Sequence, residues 1–164
     1  IHIIYMAYKG RFTPRNPQKY NGDPSNIIYR STWECRVMDY FDKNPDFISW
    51  SSEEMCVPYV SPVDGRRHRY FPDFIVKTRN KKTGQLNTFM IEVKPEKQSR
   101  PPQKKSRKTK QYITEVVTWG INQAKWKAAI EYCKDRNWQF MVMTSVDGQE
   151  FKYLTEKELL LSIN

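Results

Sequence analysis

Two periods alternate along the chain. Between 26 and 43, Tyr29, Trp33, Val37, Tyr40 and Phe41 recur at spacings of three and four, the repeat of one helix face. This predicts a helix over 26–43. Ser31 with Glu34 resembles a capping box, and Asn44-Pro45 ends the helix. Residues 48–60 are mixed, with a strand expected over 54–60. Ser61-Pro62-Val63-Asp64-Gly65 is a turn signal. Residues 66–77 and 86–94 then read as long strands separated by the turn Asn80-Lys81-Lys82-Thr83-Gly84. The three runs propose an antiparallel meander. A helix is expected over 111–136, with Ile113, Val116, Val117, Ile121, Ala124, Ala128 and Cys133 as its inner face. Gly120 is a point where it bends or divides. Residues 138–144 form an apolar strand, Asp147-Gly148 a turn, and Thr155-Glu156-Lys157-Glu158 opens a last short helix as a capping box. The order is helix, three strands, helix, strand, helix. It predicts an α/β fold, a mixed central β-sheet flanked by helices, with a crossover late in the chain.

Two stretches keep neither period. Residues 1–25 carry Lys9, Arg11, Arg15 and Lys19 among Pro14, Pro17 and Pro24, and are expected to form an irregular basic arm. Residues 95–110 hold seven Lys or Arg side chains around Pro101-Pro102 and are expected to form a flexible basic loop. Nothing reads as an internal repeat or a linker, so one domain over 1–164 is expected.

Composition narrows the classes. The 164 residues include 28 Lys and Arg against 18 acids, a formal net charge of +10. That excess points to a polyanionic partner, because each neutralised phosphate releases counterions. No run approaches the ~20 apolar residues of a membrane span, and residues 1–5 lack the features of a signal peptide. Met6 reads as a natural start, which sets residues 1–5 apart from the fold. Cys35, Cys56 and Cys133 are widely spaced and odd in number. They read as buried thiols of a reducing compartment, and with His68 the one histidine away from the terminus a zinc site is not expected.

The chemistry concentrates in two apolar runs. Phe71-Pro72-Asp73-Phe74-Ile75-Val76 carries an acid at its edge, and Met90-Ile91-Glu92-Val93-Lys94 ends in an acid and a lysine two apart. Side chains two apart share a strand face. Glu92 and Lys94 should therefore point one way, with Ile91 and Val93 buried on the other side. If the runs pair as a hairpin, Asp73 converges on the Glu92 face. Two carboxylates and an ammonium at a sheet edge can hold a hard divalent cation and polarise a water. On a basic chain this reads as a nuclease cleaving double-stranded DNA.

In that reading Asp73 and Glu92 bind Mg²⁺, for which Mn²⁺ substitutes, and the Val93 carbonyl adds an oxygen ligand. Lys94 orients or deprotonates the attacking water and neutralises developing charge. Glu34, on the first helix, supplies the third acid. DNA contacts are expected from Arg66, Arg67 and Arg69, from Lys97, Arg100, Lys104, Lys105, Arg107, Lys108 and Lys110, and from Gln123 and Lys125 on the long helix. His68 is read as a strand residue near phosphate. No small-molecule cofactor is expected. Each signal also has a plainer explanation. An E-x-K at a strand end is usually a surface ion pair, P-D is often turn chemistry, Glu34 can cap its helix or pair with Arg30, and charged runs are often solvated faces.

The conjunction decides between them. Glu34, then Pro72-Asp73, then Glu92-Val93-Lys94 resembles the pattern of the PD-(D/E)xK nuclease superfamily, whose fold is the restriction-endonuclease-like core. Met6-Ala7-Tyr8-Lys9-Gly10, Tyr29-Arg30-Ser31-Thr32-Trp33-Glu34, Arg69-Tyr70-Phe71-Pro72-Asp73-Phe74, Ile91-Glu92-Val93-Lys94-Pro95 and Trp119-Gly120-Ile121-Asn122-Gln123-Ala124-Lys125-Trp126 resemble the head-completion nucleases of myovirus bacteriophages. That family is similar to the endonuclease domain of TnsA. The resemblance implies a metal-dependent endonuclease that finishes packaged heads, with the phage portal or other head proteins as partners. It places the protein in the host cytoplasm during assembly, with the virion as a second location. TnsA-type sites put Gln where Glu92 stands, so a more acidic metal shell is expected here. The rival is a non-catalytic DNA-binding or portal-docking plug on the same fold, which an exposed aromatic patch among Trp50, Tyr59 and Tyr70 would favour.

Overall fold

The computed structural model describes residues 9–145 and 152–162. Strand β1 (Gly10–Phe12) pairs antiparallel with β2 (Ile27–Tyr29), and α1 (Thr32–Lys43) follows. Next come β3 (Phe47–Ser52), β4 (Val57–Val60), β5 (Arg67–Tyr70), β6 (Phe74–Arg79) and β7 (Leu86–Pro95). Helix α2 (Lys110–Asp135), β8 (Gln139–Ser145), β9 (Lys152–Leu154) and α3 (Glu156–Ser162) complete the chain. The central sheet runs β3-β6-β7-β8-β9, antiparallel except where α2 carries the chain across from β7 to a parallel β8. The mixed sheet and its late crossover are as the sequence pattern predicts.

Alternation along the strands builds two cores, one on each face. Phe74, Val76, Ile91 and Met143 pack with Trp33, Val37, Met38 and Phe41 of α1. Met90, Phe140 and Val142 pack on the other face with Trp126, Ala129, Ile130 and Cys133 of α2, Leu159 of α3, and Val57 and Tyr70 of the β4–β5 hairpin.

Several boundaries differ from expectation. The first helix starts at Thr32 because Ile27–Tyr29 is claimed by β1. Ser31 caps it, accepting the Glu34 N–H at 3.1 Å, while the Glu34 carboxylate accepts the Arg30 N–H at 2.7 Å. The strand expected over 54–60 is shorter and is preceded by β3, which the mixed pattern hid. The single strand expected over 66–77 is two strands in different sheets. Pro72 has no N–H to offer a ladder, and the chain turns there from β5 into β6. The meander is therefore only the β6–β7 hairpin with β3 alongside, and β4 and β5 form a separate pair.

Within the stretch expected as a basic arm, Gly10–Phe12 is a strand and Pro17–Lys19 a 3-10 turn, and the segment packs on the end of α1. Buried Asp42 accepts the Arg15 N–H at 2.8 Å. The Lys19 ammonium donates to the carbonyls of Phe41, Asp42 and Asn44 at 2.8–2.9 Å, satisfying the open end of α1. In the 95–110 stretch, 96–99 form a short 3-10 turn. Helix α2 runs unbroken through Gly120, and its inner face is rotated from the expected one. Asn122, Trp126, Ala129, Ile130 and Cys133 are buried, whereas Ile113, Val116 and Val117 are exposed. Cys133 is buried, but Cys35 and Cys56 are only half-buried free thiols. The Asp147-Gly148 turn lies outside the described residues. No helix among the described residues is long and apolar enough to cross a membrane.

Candidate active site

Register brings the two acidic runs together. Phe74 pairs with Ile91 in the β6–β7 ladder, so Asp73, one step earlier, lies across from Glu92. The Asp73 carboxylate accepts the Val93 N–H at 2.7 Å, and its carbonyl accepts the N–H of Glu53 at 3.1 Å. Glu92 is buried on the α2 face of β7, and both of its oxygens are held. Tyr70 donates to Oε2 at 2.5 Å, and the Lys94 ammonium lies 3.1 Å from Oε1. Ile91 and Val93 turn into the α1-side core, as period two requires.

Glu34 comes from the N-terminal turn of α1. Its charge is felt by both Asp73 and Lys94, while its carboxylate is committed to the Arg30 N–H. Glu34 thus has both its cap role and a place in the acidic group. Lys94 is in contact with Glu92, and the charges of Glu92, Glu34 and Lys94 all act on Asp73.

The electrostatics show what is unbalanced. Burial, and next the charge of Glu92, push the Asp73 carboxyl well above the usual carboxylate range, against the Val93 N–H and Lys94. Burial also raises Glu34, with Glu53 and Glu92 adding to it. Burial works to lower Lys94, but the charge of Glu92 and its hydrogen bond, then Asp73 and Glu34, outweigh it and raise the ammonium. Burial and Glu92 drive Tyr70 well above its ordinary value, so its hydroxyl stays a donor. Three acids therefore face one ammonium, which leaves room for added positive charge.

No three His, Cys, Asp or Glu side chains among the described residues form a metal cage by themselves. The donor set fits a cation that keeps most of its water and takes one or two carboxylates: Asp73, Glu92 and the Val93 carbonyl.

Two site residues were not singled out by pattern. Tyr70 reaches Glu92 from β5, a strand of the separate pair. Glu53 sits after β3 with φ of 55°, ion-paired to Arg30 and bonded through its N–H to Asp73. The string Arg69-Tyr70-Phe71-Pro72-Asp73 was the available signal for Tyr70; Glu53 left none.

The expected DNA contacts divide. Arg66, Arg67, Arg69, Lys104, Lys105, Arg107, Lys108 and Lys110 are exposed. Lys97 lies 4.0 Å from Glu115, and Arg100 is paired with Glu96. His68 is tied to Asp64 at 2.8 Å. Lys125 is half-buried, its ammonium 5.7 Å from the Tyr70 ring centre and 5.8 Å from that of Tyr59, which puts α2 beside the site. Gln123, also on α2, is half-buried. The exposed aromatic patch that would favour a docking plug is not formed by the three residues expected to make it: Trp50 and Tyr70 are buried and Tyr59 is half-buried.

Comparison with known proteins shows what the chain is similar to. The family described as TnsA-like endonuclease N-terminal matches residues 44–145, a span that includes Asp73, Glu92 and Lys94. The chain is 41% identical over 147 residues to the head completion nuclease of Enterobacteria phage T4, covering 87% of this chain and 94% of that protein. No solved structure matches it.

Proposed function

Since the chain belongs to the TnsA-like endonuclease family, we propose that it is a nuclease that hydrolyses DNA phosphodiesters at the Asp73–Glu92–Lys94 site with a divalent cation, Mg²⁺ in the cell, while phage heads are completed. The register that sets Asp73 opposite Glu92 across the β6–β7 ladder, with Lys94 paired to Glu92, carries the reading. The cation, when bound, supplies Lewis acidity at the phosphate and an activated water.

The chain's own groups do the rest. Asp73 and Glu92, with the Val93 carbonyl, hold the cation. The Asp73 carboxylate is aimed by the Val93 N–H and Glu92 by the Tyr70 hydroxyl. Lys94, kept charged by Glu92, orients the water and offsets the negative charge gathering on the phosphate in the transition state. Glu34 adds to the acidic group from α1. The exposed cations of 97–110 and of β5 hold the DNA backbone, which favours binding with little sequence preference. The head-completion role rests on the likeness to the T4 protein, and portal or other head proteins are the partners it suggests.

The test is cleavage of supercoiled and linear DNA in Mg²⁺ or Mn²⁺ by the parent, by Asp73→Asn, which keeps shape and can still accept the Val93 N–H, and by Glu92→Gln, which keeps shape and one of the two acceptors. Cutting that EDTA and either substitution abolish is expected. Cutting that survives both substitutions would place the chemistry elsewhere.

A further inference from the structure

A cavity of about 630 Å³ lies between residues 96–105 and the N-terminal half of α2. Its wall begins at Glu96, two residues beyond Lys94. On α2 it takes in Trp119 and Asn122, and Asn122 precedes Lys125 by three residues, about 4.5 Å along the helix axis. Lys125 lies against Tyr70, which holds Glu92. The cavity therefore adjoins the acidic site without sharing its carboxylates.

Its lining has a specific chemistry. Asn122 is 6% exposed and its side chain belongs to the lining of the cavity. Its amide offers a ligand both donor and acceptor. Trp119 is half-buried and braced edge-on against buried Trp126, ring centres 5.7 Å apart. Lys97, Arg100 and Lys105 stand around the opening with Glu96 and Glu115; Lys105 has no ion pair among the described residues.

We propose that this cavity takes one unpaired nucleotide of the DNA strand being cut, an inference that rests on the nuclease reading. An aromatic wall stacks on any base, an amide reads a base edge, and cations take the flanking phosphate. The volume lies within the roughly 300–1,000 Å³ of small-ligand sites. A base inside a duplex reaches such a cavity only by swinging out, and that costs least where pairing is already broken. Mismatched or branched DNA is thus the preferred substrate class.

The test uses duplexes carrying 5-iodouracil at one position at a time around the cut, bound to the full chain with Asp73→Asn so that the DNA stays whole. Irradiation should crosslink one position to Trp119. Trp119→Leu should abolish that crosslink, and Trp119→Phe should retain it. In the cleaving parent, a mismatch at that position should speed cutting about tenfold, by sparing the unstacking cost. Trp119→Leu and Asn122→Ala should bring the ratio near one. A parent that cuts DNA but crosslinks elsewhere, with the ratio untouched by either change, overturns the cavity proposal and leaves the nuclease reading standing. A parent that cuts no DNA, while the crosslink still maps to Trp119, overturns the nuclease reading and not the cavity. Thymidine monophosphate that erases the crosslink without slowing cleavage would mark a free-nucleotide site and refute the proposal.

Discussion

Glu92 is held at both oxygens, by Tyr70 and by Lys94, so its direction is fixed by two partners from different strands. Tyr70→Phe removes one of them without opening a cavity. Loss of a partner that orients a ligand typically costs about 10–100-fold in activity, and a fall of that order in cleavage rate is expected, with a lower melting temperature because Glu92 Oε2 is left unpaired in the interior. Asp73 behaves differently. Burial and Glu92 raise its carboxyl, so the folded chain holds that proton more tightly than the unfolded one. Stability then falls as pH climbs above the ordinary carboxylate range. Asp73→Asn is expected to melt higher than the parent at neutral pH without divalent ions, and at the same temperature in acid below that range. Mg²⁺ should raise the parent's melting point and not the variant's, by about 2.7 kcal/mol of stability at a hundredfold excess over Kd. Equal melting curves at neutral pH would show that Asp73 carries no uncompensated charge.

Among the elements, α1 and α2 present opposite cases. The start of α1 follows from its own residues, since Ser31 and Glu34 cap it locally. Its end is secured from a distance by Lys19. Lys19→Met keeps the apolar stem and removes three hydrogen bonds to helix-end carbonyls. A loss of up to about 2 kcal/mol is expected by urea denaturation. Gly120 weakens α2 without serving packing, because an added Cβ would meet nothing nearer than a Pro62 carbon at 3.9 Å. Gly120→Ala should therefore stabilise the protein, by up to about 1 kcal/mol in the same measurement. Any destabilisation would mean that this turn of α2 must yield.

Over the whole molecule, the excess of +10 is concentrated where the structure leaves it free. Lys104, Lys105, Arg107 and Lys108 are all exposed. DNA affinity should fall steeply with salt, and replacing these four with Gln should flatten the slope by roughly one unit for each that meets a phosphate. Turnover at saturating DNA should change much less. A salt-insensitive affinity would remove the loop from the interface.

The sequence by itself determined what depends on near neighbours: the period-two faces of β7 that pair Glu92 with Lys94, the α1 cap, the long helix, expected over 111–136 and found at Lys110–Asp135, the late crossover and the basic charge. These are set by residues a few positions apart, and propensity and spacing report them directly. Tertiary structure decided what depends on who covers whom. Helix α2 buries Asn122 and Trp126 and exposes Ile113 and Val117 because one part of its length lies on the sheet. The chain breaks at Pro72-Asp73 because Asp73 is needed against β7, and β5 is thereby freed to bring Tyr70 onto Glu92 from another sheet. Glu53 joins the site through the close of β3 beside Asp73. Those pairings link residues distant in the chain, and only the folded arrangement, with its shared buried surface, selects them.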